Sequence, residues 1–533
     1  MDLLAELAKK DHPQTLLDSV RLLLEQADKS AHIIAHKDQV IAHKEQVIKV
    51  ADIKIAALTL ELAHHKRIRF ANKSEAFTPT QNDLFEETWN TDLAAMEAEV
   101  EQQRLLLAAE ASTSTSTIKP KRLRAGRQPL PAHLPRIEHR HEPESCLCGQ
   151  CGLGLIKIGE DISEQLDVEP ARFFVHRHIR PQYACRACER ITAAPIPPAI
   201  IDGGMAAPGL LAWVAVSKFA DHLPLYRIEQ IGARQQVPLP RSTLADWIGK
   251  VGVALQPLAD RLAELLRQQA CLHADETPVQ QLDPGRGKTK RAYLWAYRSN
   301  SLETTPPIVV FDYQPGRAGA HAQAFLQDWQ GHLMVDDYAG YKALFGNGIT
   351  ELACMAHVRR KFFELHAANG STIAAEALRR IGALYAIERQ AQDFDIEARL
   401  AYRQTQAKPL LAQWQTWLIL TRKTTADGSG TAKALDHAIK RWPALMRYAE
   451  SGSLPIDNNP VENAIRPIAI GKKNWLFAGS ERAGRRAAAI QSLLATARLN
   501  GIEPLHWLKE TLEKLPTWPN SQIDALLPLA RIS

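Results

Sequence analysis

The chain has 533 residues, 45% hydrophobic and 23% charged, the proportions of a globular protein, which excludes collagen, mucin and wholesale disorder. At roughly 100 to 200 residues per domain, this length implies about three or four folding units. The formal net charge of +6 is too small to identify a partner by itself. No apolar run approaches the ~20 residues of a membrane span, and the opening MDLLAELAKKDH lacks the regions of a secretory signal, so a cytoplasmic location and no membrane partner are expected.

From Val20 to Leu62 one position recurs every seven residues as Val20, Ala27, Ile34, Ile41, Ile48, Ile55 and Leu62, which predicts a long helix with an apolar stripe. The stripe is flanked by Ile33, Val40 and Val47, whereas an orthodox zipper would be apolar where Lys37 and Lys44 stand. The helix therefore either pairs with a second copy or folds against its own chain. A second helical stretch, 92–109, runs into the polar linker Ser112-Thr113-Ser114-Thr115-Ser116-Thr117. Lys119, Lys121, Arg122, Arg124, Arg127, Arg136 and Arg140 then follow with Glu138 as the first carboxylate among them, which makes a polyanion such as nucleic acid a plausible partner.

Cys148-x-x-Cys151 and Cys185-x-x-Cys188 flank strand-like sequence, FFVHRHI. Two such knuckles bring four thiolates into a tetrahedron suited to Zn²⁺, which stabilises a module too small for a core of its own. Cys146 is a spare that can replace Cys148. Three short helices are expected next, at 210–219, 226–235 and 242–251, the last with Ser242-Thr243 as N-cap signal; they suit a helix-turn-helix DNA binder or a small helical bundle.

From Cys271 the texture turns to strands, with CLHADETPV, RAYLWAYR, PIVVFDY, the helical AHAQAFLQDW, then HLMVDD and LACMAHV running into a helix. This order is what a ribonuclease-H-like mixed α/β domain would show. Asp275, followed by Glu276, lies on the first strand, the Asp336-Asp337 doublet on a later one, and Glu462 on a helix after Asn458-Asn459-Pro460. Converging carboxylates are hard oxygen ligands that hold Mg²⁺ or Mn²⁺ for chemistry at phosphorus. Around Glu462, the cations Arg466, Lys472, Lys473, Arg482, Arg485 and Arg486 mix with Trp475 and Phe477, as in a groove that tracks phosphates and stacks bases.

The motifs HADETPV, VDDYAGY, ACMAHVRRKF, DNNPVENAIRP and GKKNWLFAGSERAGRRAA, in this order, resemble those of bacterial insertion-sequence transposases of the insertion-sequence-66 type. The similarity covers most of the chain after about residue 120; before that the match is only in kind, to a helical, zipper-like N-terminus. The resemblance implies a DDE transposase that cuts and joins DNA without a covalent protein intermediate, with Asp275, Asp336 and Glu462 as triad, two Mg²⁺ (or Mn²⁺) ions and a structural Zn²⁺. Its Cys-x-x-His element falls on Cys354 and His357, for which a structural role is expected. The implied partners are the element's terminal inverted repeats, target DNA, further copies of the chain and small accessory proteins of the same element, at the nucleoid. A nuclease or resolvase that cuts without joining, and a non-catalytic zinc-containing DNA-binding regulator, are the alternatives.

The expected architecture is multidomain α+β. It comprises a helical or coiled-coil oligomerisation region (1–110), a polar and basic linker (111–141), a zinc-ribbon-like four-Cys module (142–192) and a helical DNA-binding segment (204–268). The first part of the catalytic domain (269–371), an all-α insertion (372–450), a second part with Glu462 (451–490) and a C-terminal helical element (491–533) complete it.

Overall fold

A computed structural model describes residues 130 and 132–530, except 143–145, 148, 149, 151, 152, 170, 171, 284, 285, 287, 304 and 347, together with Lys44 and Ala51, both helical. The heptad stripe, Lys119, Lys121, Arg122, Arg124, Arg127, Cys148 and Cys151 lie outside the described residues. Among the described residues no helix is long and apolar enough to cross a membrane.

Strands β1 (Arg136–Arg140), β2 (Ile156–Glu169), β3 (Arg172–Ala184) and β4 (Ile191–Ala193) form the first sheet. β2 and β3 are an antiparallel hairpin, β1 lies parallel to β3, and β4 folds back on Gln182–Ala184. The sheet leans on helix α1 (Pro208–Phe219), where Gly209 permits an approach so close that an added Cβ would lie 2.3 Å from Asp167 Oδ1.

Helices α2 (Leu225–Arg234) and α3 (Arg241–Leu266) follow. The third helix departs from the sequence expectation at both ends. It starts at Arg241 after Pro240 with no side-chain cap, so Ser242 and Thr243 lie inside it, and it passes through Gly252 and Pro257. An interior proline costs about 3 kcal/mol. The helix buries Leu244, Ile248, Val251, Leu255, Leu258 and Leu262, each fully buried apolar side chain stabilising by roughly 1.5–3 kcal/mol, so burial outweighs the broken hydrogen bond.

The second sheet is built from β5 (Cys271–Asp283), β6 (Lys288–Ser299), β7 (Val309–Gln314), β8 (Gly331–Val335) and β9 (Ile349–Ala353), with α4 (Gly319–Leu326) between β7 and β8. Its order is β7-β6-β5-β8-β9. The first three strands are an antiparallel meander, and β8 and β9 join parallel to β5. After α5 (Met355–Asn369) come α6 (Thr372–Gln390), α7 (Ile396–Tyr402), α8 (Lys408–Lys423), α9 (Gly430–Lys440) and α10 (Trp442–Met446). Their core, with Leu384, Trp414, Leu435 and Trp442, continues into Met334 and Leu352 of the β8–β9 edge.

The chain returns to the sheet as α11 (Asn459–Trp475), the short β10 (Phe477–Ala478) parallel to β5, α12 (Glu481–Leu499) and α13 (Pro504–Lys514). Val461, Ile465, Ile468 and Ala488 of α11 and α12 pack on Val279, Leu294, Phe311 and Tyr313. The edge strand β7 is closed by α12: Phe311 N–H donates to Ser492 Oγ at 2.8 Å and Val309 N–H to Thr496 Oγ1 at 3.2 Å. Side chains thus occupy backbone donors that would otherwise template a further strand.

Residues 457–459 join these parts. Asn458 is fully buried; its Nδ2 donates to Ala274 O at 2.9 Å, its Oδ1 faces His273 Nδ1 at 3.0 Å, and its N–H donates to Cys354 Sγ at 3.2 Å. With the amide nitrogen committed to a carbonyl, the imidazole must carry its hydrogen on Nδ1. Asp457 accepts from Tyr385 of α6 and from the side chain of Asn459. Burial pushes the His273 imidazole down to about 4, against the hydrogen bond to Asn458.

Two outcomes follow from this junction. Asn458→Leu leaves two buried groups of β5 without partners, at about 1–3 kcal/mol each, and chemical denaturation should register a loss of roughly 2–5 kcal/mol. Because His273 binds its proton more weakly folded than unfolded, its contribution to stability is complete above about pH 6.5 and is lost as pH falls towards 4. Melts of His273→Gln against wild type should therefore converge over that window.

Candidate active site and zinc module

β5 and β8 pair in parallel as Cys271↔His332, Leu272↔Leu333 and His273↔Met334. Asp275 and Asp336 each follow two residues after the last of these pairs, where neighbouring strands of a sheet are about 4.8 Å apart. β8 and β9 pair up to Val335↔Ala353, and Asp336 and Cys354 both follow this last pair. These positions are the carboxyl ends of β8 and β9, where open sheets leave a crevice for ligands. Glu462 arrives from the first turn of α11, a helix that covers the Asp275 face of the sheet and whose N-terminal dipole favours an acid.

Burial, reinforced by the like charges of Glu276, Asp336 and Glu462, pushes the Asp275 carboxyl up to about 7, although the Glu276 N–H donates to Asp275 Oδ1 at 2.9 Å. The three acids singled out in the sequence are thus close enough to act on one another. Asp336 Oδ1 accepts the Tyr338 N–H at 2.8 Å, which orients it. Glu462 Oε1 is buried without a hydrogen-bond partner among the described residues, the state of an oxygen shaped for a cation.

The neighbouring acids behave differently. Asp337 turns to the helices after α5, with His437 Nδ1 at 3.3 Å and Arg441 Nη1 at 3.9 Å. Glu276 lies on the opposite face of β5 from Asp275 and accepts from Tyr341 and Arg317. Cys354, His357 and Glu462 form a cluster whose ligand atoms lie within 4.8 Å of one another, with His357 Nδ1 3.6 Å from Glu462 Oε1. Glu462, the third member of this cluster, is distant in sequence from Cys354 and His357, so their spacing does not reveal it. Burial pushes the Cys354 thiol up to about 12, and a soft neutral thiol is a poor partner for Mg²⁺.

The cationic stretch divides into two kinds of residue. Arg466 and Lys473 are exposed on α11. Lys472 instead donates to Pro278 O at 2.8 Å and Thr277 Oγ1 at 3.2 Å, pinning α11 to β5, and Arg485 pairs with Glu481 at 2.6 Å. Arg482 and Trp475 are half-buried, and Phe477 is packed against Leu282, so it is part of the wall and no open stacking platform.

In the first sheet, Cys185 and Cys188 sit on the β3–β4 turn, where Cys185 N–H donates to Arg190 O at 3.0 Å and Glu189 takes a φ of 54°. Cys148 and Cys151 lie outside the described residues, and the residues flanking them, Leu147 and Gly154, pair in an antiparallel bridge. Since Ile156 pairs with Ala184, this bridge and the β3–β4 turn lie at the same end of the hairpin. Cys146, in the same turn region, is exposed.

Comparison with known proteins accords with this geometry. Residues 203–486 match the transposase IS66 family, 143–189 the zinc-finger binding domain of transposase IS66, 492–529 the IS66 C-terminal element and 57–138 the Transposase C of IS166 homeodomain. The uncharacterized protein y4qI of Sinorhizobium fredii (strain NBRC 101917 / NGR234) is 38% identical over 499 residues, 90% of each chain. From the same organism, y4jD is 38% identical over 412 residues, covering 75% of this chain and 81% of its own, and y4hP 34% over 499 residues, covering 89% and 88%. A family match spanning the second sheet and its helices, flanked by matches to the same family's zinc-finger and C-terminal parts, means that this chain belongs to the IS66 transposase family.

Proposed function

We propose that this chain is a DDE transposase with a ribonuclease-H-like core, in which Asp275, Asp336 and Glu462 hold divalent metal and carry out cleavage and joining of DNA. The observation that carries the reading is the β5–β8 register, which runs in step to His273↔Met334, two residues before both Asp275 and Asp336. The strand order β7-β6-β5-β8-β9, with its antiparallel meander and two parallel additions, supports the core assignment. The orphaned Glu462 oxygen and the raised Asp275 carboxyl suit a cation with oxygen ligands such as Mg²⁺ or Mn²⁺. Bound there, two such ions supply charge that favours nucleophile activation and departure of the leaving oxygen. The chain's part is to orient three carboxylates: Tyr338 N–H fixes Asp336, Asn458 fixes β5 beside Asp275, and the start of α11 presents Glu462.

In this reading water displaces the 3′ oxygen at a phosphodiester of the element's end, leaving a 3′-hydroxyl and a 5′-phosphate. That hydroxyl then displaces a 3′ oxygen of the target strand. Cys148, Cys151, Cys185 and Cys188 hold a structural Zn²⁺, supported by the Leu147↔Gly154 bridge and the β3–β4 turn at one end of one hairpin. Residues 1–110 bring copies together, the basic stretch with Lys121, Arg122 and Arg124 and the helices α1–α3 bind the ends, and Arg466, Lys472, Lys473, Arg482 and Arg485 line the path of the strand.

Cleavage and strand-transfer assays on the element's ends test the reading. Asp275→Asn, Asp336→Asn and Glu462→Gln should each reduce cleavage at least a hundredfold and leave end binding within a few-fold, whereas Asp337→Asn should retain most activity. Cleavage without joining by wild type identifies a nuclease, and binding without cleavage a regulator.

Metal binding has a pH signature. A carboxyl raised to about 7 favours the metal-free fold at low pH, and that contribution is lost as pH rises through about 7, where the carboxylate becomes available to metal. Mg²⁺ at about a hundredfold its Kd adds roughly 2.7 kcal/mol. Thermal melts should show a larger Mg²⁺-induced rise at pH 8 than at pH 6, and Asp275→Asn should erase the difference. Metal analysis should find one zinc per chain in wild type, lost in Cys185→Ser together with the stability of the first sheet.

A further inference from the structure

Glu276 is adjacent in sequence to Asp275 but belongs to a different cluster. Its side chain is only 1% exposed, and an ionised carboxylate at that depth is costly unless it is paired. Tyr341 Oη donates to Glu276 Oε2 at 2.8 Å and Arg317 Nε to Oε1 at 2.7 Å, with Arg317 Nη2 on the same oxygen. The Arg317 guanidinium carbon also stands 3.8 Å from the centre of the Tyr338 ring. Tyr338 in turn donates its hydroxyl to the Arg317 carbonyl and its backbone N–H to Asp336 Oδ1. One side chain, Tyr338, therefore links the arginine to the acid at the end of β8.

These contacts fix Arg317 from below and along one edge, yet its side chain remains 42% exposed. A guanidinium has five N–H donors in a planar fork, and Glu276 engages only the Nε side. The Nη1–Nη2 edge is the one that grips two oxygens of a phosphate in parallel. Asp275, Asp336 and Glu462 lie close enough to act on one another and Glu276 is nearby on the other face of β5, so a polyanion approaching this region meets repulsion that fixed cations must offset. Arg317 is a cation already immobilised there, and so little ordering remains when it binds.

We propose that Arg317 is a phosphate-binding residue that takes the non-bridging oxygens of a DNA phosphodiester neighbouring the one that reacts, with Glu276 and Tyr338 as its positioning residues. The proposal rests on the assignment of Asp275 and Asp336 to the reacting centre, and it adds a contact that the sequence motifs did not single out.

The test is binding of a fluorescein-labelled duplex carrying the element's end to the full chain in Ca²⁺, followed by anisotropy across a salt series. Each lost phosphate contact lowers the slope of log affinity against log salt by about 0.9, on the order of a tenfold weakening at 0.1 M salt. Arg317→Ala and the double variant Arg317→Ala/Glu276→Gln, which leaves no lone buried charge, should both show this loss, and Arg317→Lys should keep the slope. Methylphosphonates placed one by one along each strand should reveal one position that weakens wild type but not Arg317→Ala. A folded double variant with the wild-type slope and the wild-type methylphosphonate profile would overturn the proposal, leaving the arginine as the structural partner of Glu276. Cleavage by Asp275→Asn in parallel separates the two readings, because its persistence would discard the acid assignment whatever Arg317 does.

Discussion

The geometry of the acids depends on one buried amide. Asn458 has no access to water, and its three polar groups are satisfied by His273, Ala274 and Cys354, residues of β5 and of the turn into α5. Ala274 precedes Asp275, Cys354 and Asp336 both follow the last β8–β9 pair, and Asn458 stands at the N-terminal boundary of the helix that carries Glu462. Hydrogen bonds in a dry interior are directional and costly to leave unmade, so the three elements have one relative placement in which all are satisfied. Precise positioning of carboxylates contributed by distant parts of the chain is the result. Asp457 and Asn459 extend the lock to Tyr385, so that the three-residue motif joins β5, α5, α6 and α11.

The junction holds together groups that repel. Five carboxylates, Asp275, Glu276, Asp336, Asp337 and Glu462, gather where β5 runs beside the carboxyl end of β8, and the response differs by face. Glu276 is paired with Arg317 and a tyrosine hydroxyl, and Asp337 faces Arg441 at 3.9 Å and His437, whose imidazole is pushed down to about 4 by burial. Asp275 has no such cation, and its carboxyl is raised to about 7 by burial and by its neighbours. The fold thus holds Glu276 tightly with Arg317, sets single arginines 3.8 Å from Glu462 and 3.9 Å from Asp337, and leaves Asp275 without an ion pair among the described residues. In the proposed reading, the uncompensated Asp275 is the charge that divalent metal would answer.

Much of this was legible in the sequence, because it depends on local pattern. The β-rich texture from Cys271, the helical run after residue 372 and the two CxxC turns carry periodicities and turn residues that report directly on secondary structure. The α3 helix was read too short because Gly252 and Pro257 are breakers by propensity, and only tertiary burial of its leucines reverses that preference. Glu276 and Arg317 left no signal at all: they are brought together by a strand and a loop, and a single Glu or Arg is unremarkable in a charged sequence. The burial of Asn458 is not legible either, because its partners His273, Ala274 and Cys354 come from residues about a hundred or more positions earlier, while the adjacent Asn459 is exposed and bonds to Asp457. Lys472 has a second part that a basic run does not reveal, since its ammonium also ties α11 to the Pro278 carbonyl of β5.

The helices between α5 and α11 have a part in this arrangement as well. A segment of that length could hang from the sheet by its two ends, since loop closure grows only slowly costlier with length. It is instead attached close to the crevice on both sides. His437 and Arg441 hold Asp337, Arg441 also pairs with Glu351 of β9 at 2.6 Å, and Tyr385 holds Asp457 at the entry to α11. These contacts fall one residue after Asp336 and five before Glu462. The helices are therefore tied to the neighbourhoods of Asp336 and Glu462 through paired side chains, without crossing the sheet's core. The helical segment can thus act as a brace for the crevice, and its removal would free the β8 end and the α11 start together.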